Sequence, residues 1–186
     1  GARMVPTGSI SDGIVTISRD DVTLEWLEIS GASATSGGKY GVRVLFGGST
    51  DVYVRNNVIH DITASGATSA GVYISSTGTS RYVMNNFIYA VESASGSHSV
   101  YGVRANTSGS GAGIYCNTIF NITTSAGGGI GIEVGGSSAL AKDNIVLSCS
   151  GTTSSDCYRV VTGSANAASD YNLSDDATAW GSNSVT

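Results

Sequence analysis

Arg43, Tyr73, Arg104, Glu133 and Arg159 recur about 30 residues apart, each inside a short run that alternates apolar and polar residues. If the runs stack, these side chains form one outward column with neighbours about 5 Å apart. Guanidinium, phenol and carboxylate groups in that arrangement could make a shallow glycan-facing surface, with Tyr73 as a stacking ring. They could equally make a solvated face whose charges compensate, with Arg104 against Glu133 as a surface ion pair worth under about 1 kcal/mol. Both readings stand at the level of the sequence.

Other chemistry is thin. Asp21 and Asp51 align one repeat apart and could hold Ca²⁺, although an aspartate just before a strand is commonly a turn residue. His60 and Asp61 are neighbours whose side chains should diverge on a strand, which makes a poor dyad. The three cysteines are too few for a disulfide framework. Cys149 and Cys157 flank a short loop, and a bridge between them would add roughly 2–3 kcal/mol. Cys116 reads as a small buried filler. A catalytic thiol would want a histidine, and the only two, His60 and His98, lie in other repeats. No zinc spacing, P-loop or nucleophile elbow occurs, so neither a catalytic set nor a metal site is assigned.

The elements that would position these groups are set by a second periodic feature. Asn57, Asn86, Asn117 and Asn144 stand in one recurring phrase: Val54-Arg-Asn-Asn57-Val-Ile59, Val83-Met-Asn-Asn86-Phe-Ile88, Ile114-Tyr-Cys-Asn117-Thr-Ile119 and Ala141-Lys-Asp-Asn144-Ile-Val146. Leu24-Glu-Trp-Leu27-Glu-Ile29 is a degenerate earlier copy with leucine in place of asparagine. Each repeat carries three short strands punctuated by Gly, Ser and Asn, and no helical periodicity. That describes one coil of a parallel β-helix, about six coils in all, with corresponding strands pairing about 4.8 Å apart. An asparagine at the same bend of every coil can satisfy buried backbone groups above and below, and it tolerates left-handed backbone angles. The four form a structural ladder.

In these Asn-x-Ile turns the chain resembles the right-handed parallel β-helix, or pectate-lyase-like, superfamily, over about residues 10 to 175. The resemblance implies an all-β right-handed solenoid. It implies no single activity, because polysaccharide lyases and hydrolases, phage tailspikes and adhesins share the fold. Lyases of this kind use calcium-holding acids and a basic residue, for which Arg104 would be the best available base. Hydrolases use two or three outward aspartates, a column this sequence lacks.

Composition narrows the partners. Net charge is −5, charged residues make up 12% and hydrophobic residues 40% of the 186, and the nine basic residues do not cluster, which argues against nucleic acid. No apolar run approaches a membrane span. After each ladder asparagine two sets should face outward: Val58, Phe87, Thr118 and Ile145, then His60, Tyr89, Phe120 and Leu147. Such an apolar stripe wants a cover, either the Tyr171–Trp180 tail or another chain. Neither end shows a cap. The chain therefore reads as one domain, residues 1–186, that is a fragment or module of a larger protein. The expected role is a non-enzymatic structural module of an extracellular, cell-surface or virion protein, binding other chains, itself or polysaccharide. The alternative is a fragment of a polysaccharide lyase or glycoside hydrolase.

Overall fold

A computed structural model describes residues 2–6, 12–31, 33–34, 37–45, 51–75, 80–94, 97–105, 111–135 and 138–186. Among these residues every regular element is a strand, and every pairing between strands is parallel. The chain is a parallel β-solenoid of about five complete turns with part-turns at the ends, close to the six that length over period suggests.

Three sheets make its walls. Sheet A follows the ladder bend and contains Leu27–Ser30, Val58–Ala64, Phe87–Ser93, Thr118–Thr124 and Ile145–Ser150. Ala2–Met4 and Leu173–Ser174 extend it at its two ends, and Ser33–Ala34 pairs beside Val58–Ala64. Sheet B contains Gly13–Ile17, Lys39–Val44, Ser69–Ile74, Val100–Ala105, Gly128–Val134 and Ser154–Val160. Sheet C precedes the ladder bend and contains Val22–Glu25, Val52–Arg55, Arg81–Met84, Ala112–Tyr115 and Leu140–Lys142. The strands of sheets A and B run longer than the sequence pattern indicates, so the connections between them are shorter.

Alternation sends every second side chain inward, and identical register stacks like on like. Ile29, Ile59, Ile88, Ile119 and Val146 form one inward column, and Val42, Val72, Val103 and Ile132 form another, all fully buried. β-branched residues suit this arrangement because their restricted χ1 matches a pleated, laterally packed surface.

The ladder is present and longer than the four asparagines expected. Each asparagine side chain accepts on Oδ1 from the backbone N–H one turn earlier and donates from Nδ2 to a carbonyl of that turn. Asn86 Oδ1 accepts from Asn57 N at 3.0 Å, and Asn86 Nδ2 donates to Val54 O at 2.8 Å and to Asn117 Oδ1 at 3.1 Å. Asn172 is a fifth rung, taking the Asn144 N–H at 3.2 Å and donating to Ala141 O at 3.0 Å. At the other end Leu27 N donates to Asn57 Oδ1 at 3.1 Å, so leucine sits where the series terminates. The left-handed residue of each bend is not the asparagine but the one before it: Trp26, Asn56, Asn85, Cys116, Asp143 and Tyr171, with φ between +52° and +60°. Cys116 is consequently exposed at this bend, not a buried filler.

The Tyr171–Trp180 segment does not lie over the sheet A stripe. It packs across the last turn of the stack, at an end the sequence pattern left without a cap: Asn172 Nδ2 donates to Trp180 O, the Trp180 ring packs 5.4 Å from Tyr158, and the Tyr158 hydroxyl donates to Asn144 O at 3.0 Å. Asp175 and Asp176 anchor it by accepting from Ser148 N and Cys157 N, each at 2.7 Å.

Candidate functional site

Sheet B brings Arg43, Tyr73, Arg104, Glu133 and Arg159 into one register column. Asp12 pairs with Arg43 at one end. Glu133 holds two arginines, Arg104 Nε at 2.7 Å and Arg159 Nε at 2.9 Å, and is only 1% exposed. The Arg104–Glu133 contact is therefore a covered ion pair rather than the surface pair expected, because the flanking guanidinium stems close over the carboxylate. Tyr73 is equally engaged: the Arg43 and Arg104 guanidinium carbons lie 5.9 and 5.5 Å from its ring centre, and the Tyr40 ring lies 4.8 Å away. Arg104 also sits 4.6 Å over Tyr101. Burial works against the Arg104 charge, but Tyr101 and the Glu133 carboxylate outweigh it and hold its pKa above the usual arginine value. Burial, followed by the neighbouring Tyr73, raises the Tyr40 phenol. Cation–π and ionic contacts thus engage the Tyr73 ring and the Glu133 carboxylate within the column.

Sheet A presents the apolar stripe in the expected register, Val58 against Phe87, Thr118 and Ile145, and His60 against Tyr89, Phe120 and Leu147. Val58, Phe87 and Ile145 are 37–40% exposed, with Trp26 at 66% and Tyr171 at 58% continuing the line along the bend. An open cavity of about 380 Å³ lies at its first turn, between Trp26, Leu27, Glu28, Asn56 and Val58. The second column is an aromatic pile: His60 stacks on Tyr89 at 4.8 Å and Tyr89 on Phe120 at 5.2 Å, with Phe87 tilted 5.1 Å from Tyr89.

His60 and Asp61 do not diverge. Asp61 has φ +53°, one of a second set of left-handed residues (Ala90, Asn121 and Ser148 are its counterparts) that bend the sheet A strands mid-course. The bend brings Asp61 Oδ2 to 2.9 Å from His60 Nδ1, while Glu28 Oε1 stands 3.3 Å from Nε2 and also pairs with Arg3. With both ring nitrogens facing carboxylates and a face against Tyr89, this histidine has no free nitrogen for a substrate proton.

Sheet C carries a feature that the sequence reading missed. Tyr53, Tyr82 and Tyr115 form an outward row, with centroids 4.9 Å apart for the first pair and 6.5 Å for the second. The legible signal was the Val-Tyr-Val phrase at 52–54 matched by Tyr82-Val83; the interruption at Gly113 hid its continuation.

No group of three or more His, Cys, Asp or Glu side chains among the described residues is placed to hold a metal. Asp21 occupies a left-handed turn and Asp51 accepts from the Tyr53 hydroxyl at 2.9 Å. No helix of the described residues is long and apolar enough to cross a membrane. The suggested Cys149–Cys157 bridge is absent. Both are thiols, with Cys157 hydrogen-bonded to Cys149 and donating to Asp175 Oδ1 at 3.2 Å. A scan against protein-family models finds no match, and searches of curated proteins and of solved structures find none either.

The thiols give a direct check on this geometry. The hydrogen bond with Cys149, then burial, drives the Cys157 pKa far up; burial and then Asp143 raise Cys116 as well, but its side chain is exposed. A raised pKa removes thiolate, the reactive form. Iodoacetamide at about pH 8 should alkylate Cys116 slowly and leave Cys157 untouched until the protein is denatured. Peptide mass spectrometry reads the result, and equal labelling of both in the native protein would contradict the arrangement.

Proposed function

We propose that this chain is a non-enzymatic structural module of an extracellular, cell-surface or virion protein, working through contacts with other protein chains, copies of itself included. The observation that carries the reading is the exposed apolar line of Trp26, Val58, Phe87, Ile145 and Tyr171 along the ladder bend. A row of large apolar side chains along one bend of the stack, interrupted at Thr118, is unusual on a surface that meets only water.

Kinship with the pectate-lyase-like β-helix proteins is part of the proposal, supported by the repeated left-handed residue followed by a ladder asparagine. Lyase or hydrolase chemistry has less support. Arg104, the best basic candidate, is bound to Glu133 and held protonated, and an arginine fixed in that state is a poor proton acceptor.

Sedimentation velocity or light scattering over a concentration series tests the association. The apparent mass should rise above 18.8 kDa with concentration. Phe87→Glu, at a half-exposed position, should weaken association by at least about 2 kcal/mol, roughly thirtyfold, without unfolding the chain. A strict monomer at every concentration would overturn self-assembly through this face.

A further inference from the structure

We propose that the Tyr82–Tyr115 platform on the outer face of sheet C is a binding site for one ring of a neutral saccharide. This lies on a different wall from the apolar stripe and does not depend on it.

The inference starts from how the tyrosines differ from the other aromatic side chains of the surface. Tyr73 has arginines against its ring, Tyr53 has Arg55 at 5.7 Å and a bond to Asp51, and Tyr89 is stacked from both sides. Tyr82 shares one ring face with Tyr53 at 4.9 Å, but Tyr82 and Tyr115 have no such cation, and neither hydroxyl makes a hydrogen bond among the described residues. Gly113 explains their placement. It occupies the register position next to Tyr82, and the Tyr115 ring folds back over it: a Cβ at Gly113 would stand 2.5 Å from Tyr115 Cε2 and 2.7 Å from its hydroxyl oxygen. The ring therefore lies down on the sheet, 6.5 Å from the centre of Tyr82, instead of joining a tight stack.

An open cavity of about 280 Å³ lies over these rings, with Ser80, Ser138 and Asn166 at its border. That volume is at the lower edge of the roughly 300–1,000 Å³ of small-molecule sites. No lining residue among those described is ionised, so none of them would repay the desolvation of a charged ligand. The Asn166 carbonyl oxygen is taken by Ala168 N at 3.0 Å, while its NH₂ has no partner among the described residues. A pyranose ring meets all these conditions. Its C–H face packs on the electron-rich ring faces, and its hydroxyls meet the two phenols, two serines and one amide.

Titration of the tyrosine ring signals by NMR, with methyl glucoside, methyl galactoside, methyl mannoside and N-acetylglucosamine as probes and glucuronate as the charged control, tests this. At least one neutral pyranoside should shift Tyr82 and Tyr115, with glucuronate weaker. Tyr115→Ala should weaken binding about tenfold, the loss of one stacking ring. Gly113→Ala should do the same while leaving the fold intact, because the atoms its methyl would meet are the free end of a side chain that can swing out. Absence of any shift at the solubility limit, tighter binding of glucuronate, or binding indifferent to both substitutions would each overturn the proposal.

Discussion

Asn86→Leu lowers the stability of the solenoid by about 2–4 kcal/mol, which is roughly 5–15 °C in melting temperature for a chain of this size. The substitution strands the N–H of Asn57 in the interior, which depends on the Asn86 side chain, and removes the side-chain hydrogen bond to the carbonyl of Val54. A buried backbone group without a partner costs about 1–3 kcal/mol, and leucine offers it nothing. The Asn57 amide also loses its acceptor in the next turn, though it keeps Leu24 O. Asn117→Leu should match it, since Asn117 makes the same bonds to Asn86 N and Val83 O. Leu27→Asn, at the end of the series, should change stability by less than about 1 kcal/mol, because a terminal rung adds no second neighbour. Thermal unfolding followed by circular dichroism separates these cases. Negligible shifts for both Asn86→Leu and Asn117→Leu would mean the amides do not carry the bend.

The solenoid was legible because its information is periodic. A 30-residue recurrence of Asn followed by Ile, with period-two runs on either side, specifies sheets, register and inward columns together, since a one-residue slip would expose every isoleucine of Ile59, Ile88 and Ile119. Asn172 kept the spacing, but its neighbours Asp170 and Tyr171 lack the apolar run that marks the other rungs. The outward faces were less legible for a physical reason. Which groups meet there depends on side-chain reach and on bends that residue type does not encode. The mid-strand bend of sheet A is occupied in turn by Asp61, Ala90, Asn121 and Ser148, and no common chemistry would have announced that Asp61 turns back onto His60. Glu133 reads as a surface residue from alternation alone; it is covered because arginines one turn away on both sides fold over it. Tyr115 joins Tyr82 only because Gly113 leaves room beneath its ring.

Glycine makes the sharpest distinction between backbone and side-chain constraint. Gly41, Gly71, Gly102 and Gly131 recur at one position of sheet B, where that sheet faces the isoleucine column of sheet A. A Cβ at Gly102 would stand 2.4 Å from Ile119 Cγ2 and 2.7 Å from the backbone oxygen of Gly131. The methyl could shift by a rotamer change, but the oxygen belongs to the next strand of sheet B and cannot retreat without opening the pairing of Val100–Ala105 with Gly128–Val134. Overpacking of this kind costs typically 1–3 kcal/mol, and a clash with backbone places Gly102→Ala near or above the upper end, about 3 kcal/mol. Gly102→Val should be worse, to the point of uncoupling the turns on either side, since each turn in a stack is stabilised by its neighbours. Gly113→Ala is the matched control: its nearest atoms all belong to the Tyr115 ring, which can leave, so its melting temperature should stay within a few degrees of the parent. If Gly102→Ala proved as mild as Gly113→Ala, sheets A and B would have slack between them, and the close approach seen at all four glycines would not be what sets the width of the solenoid.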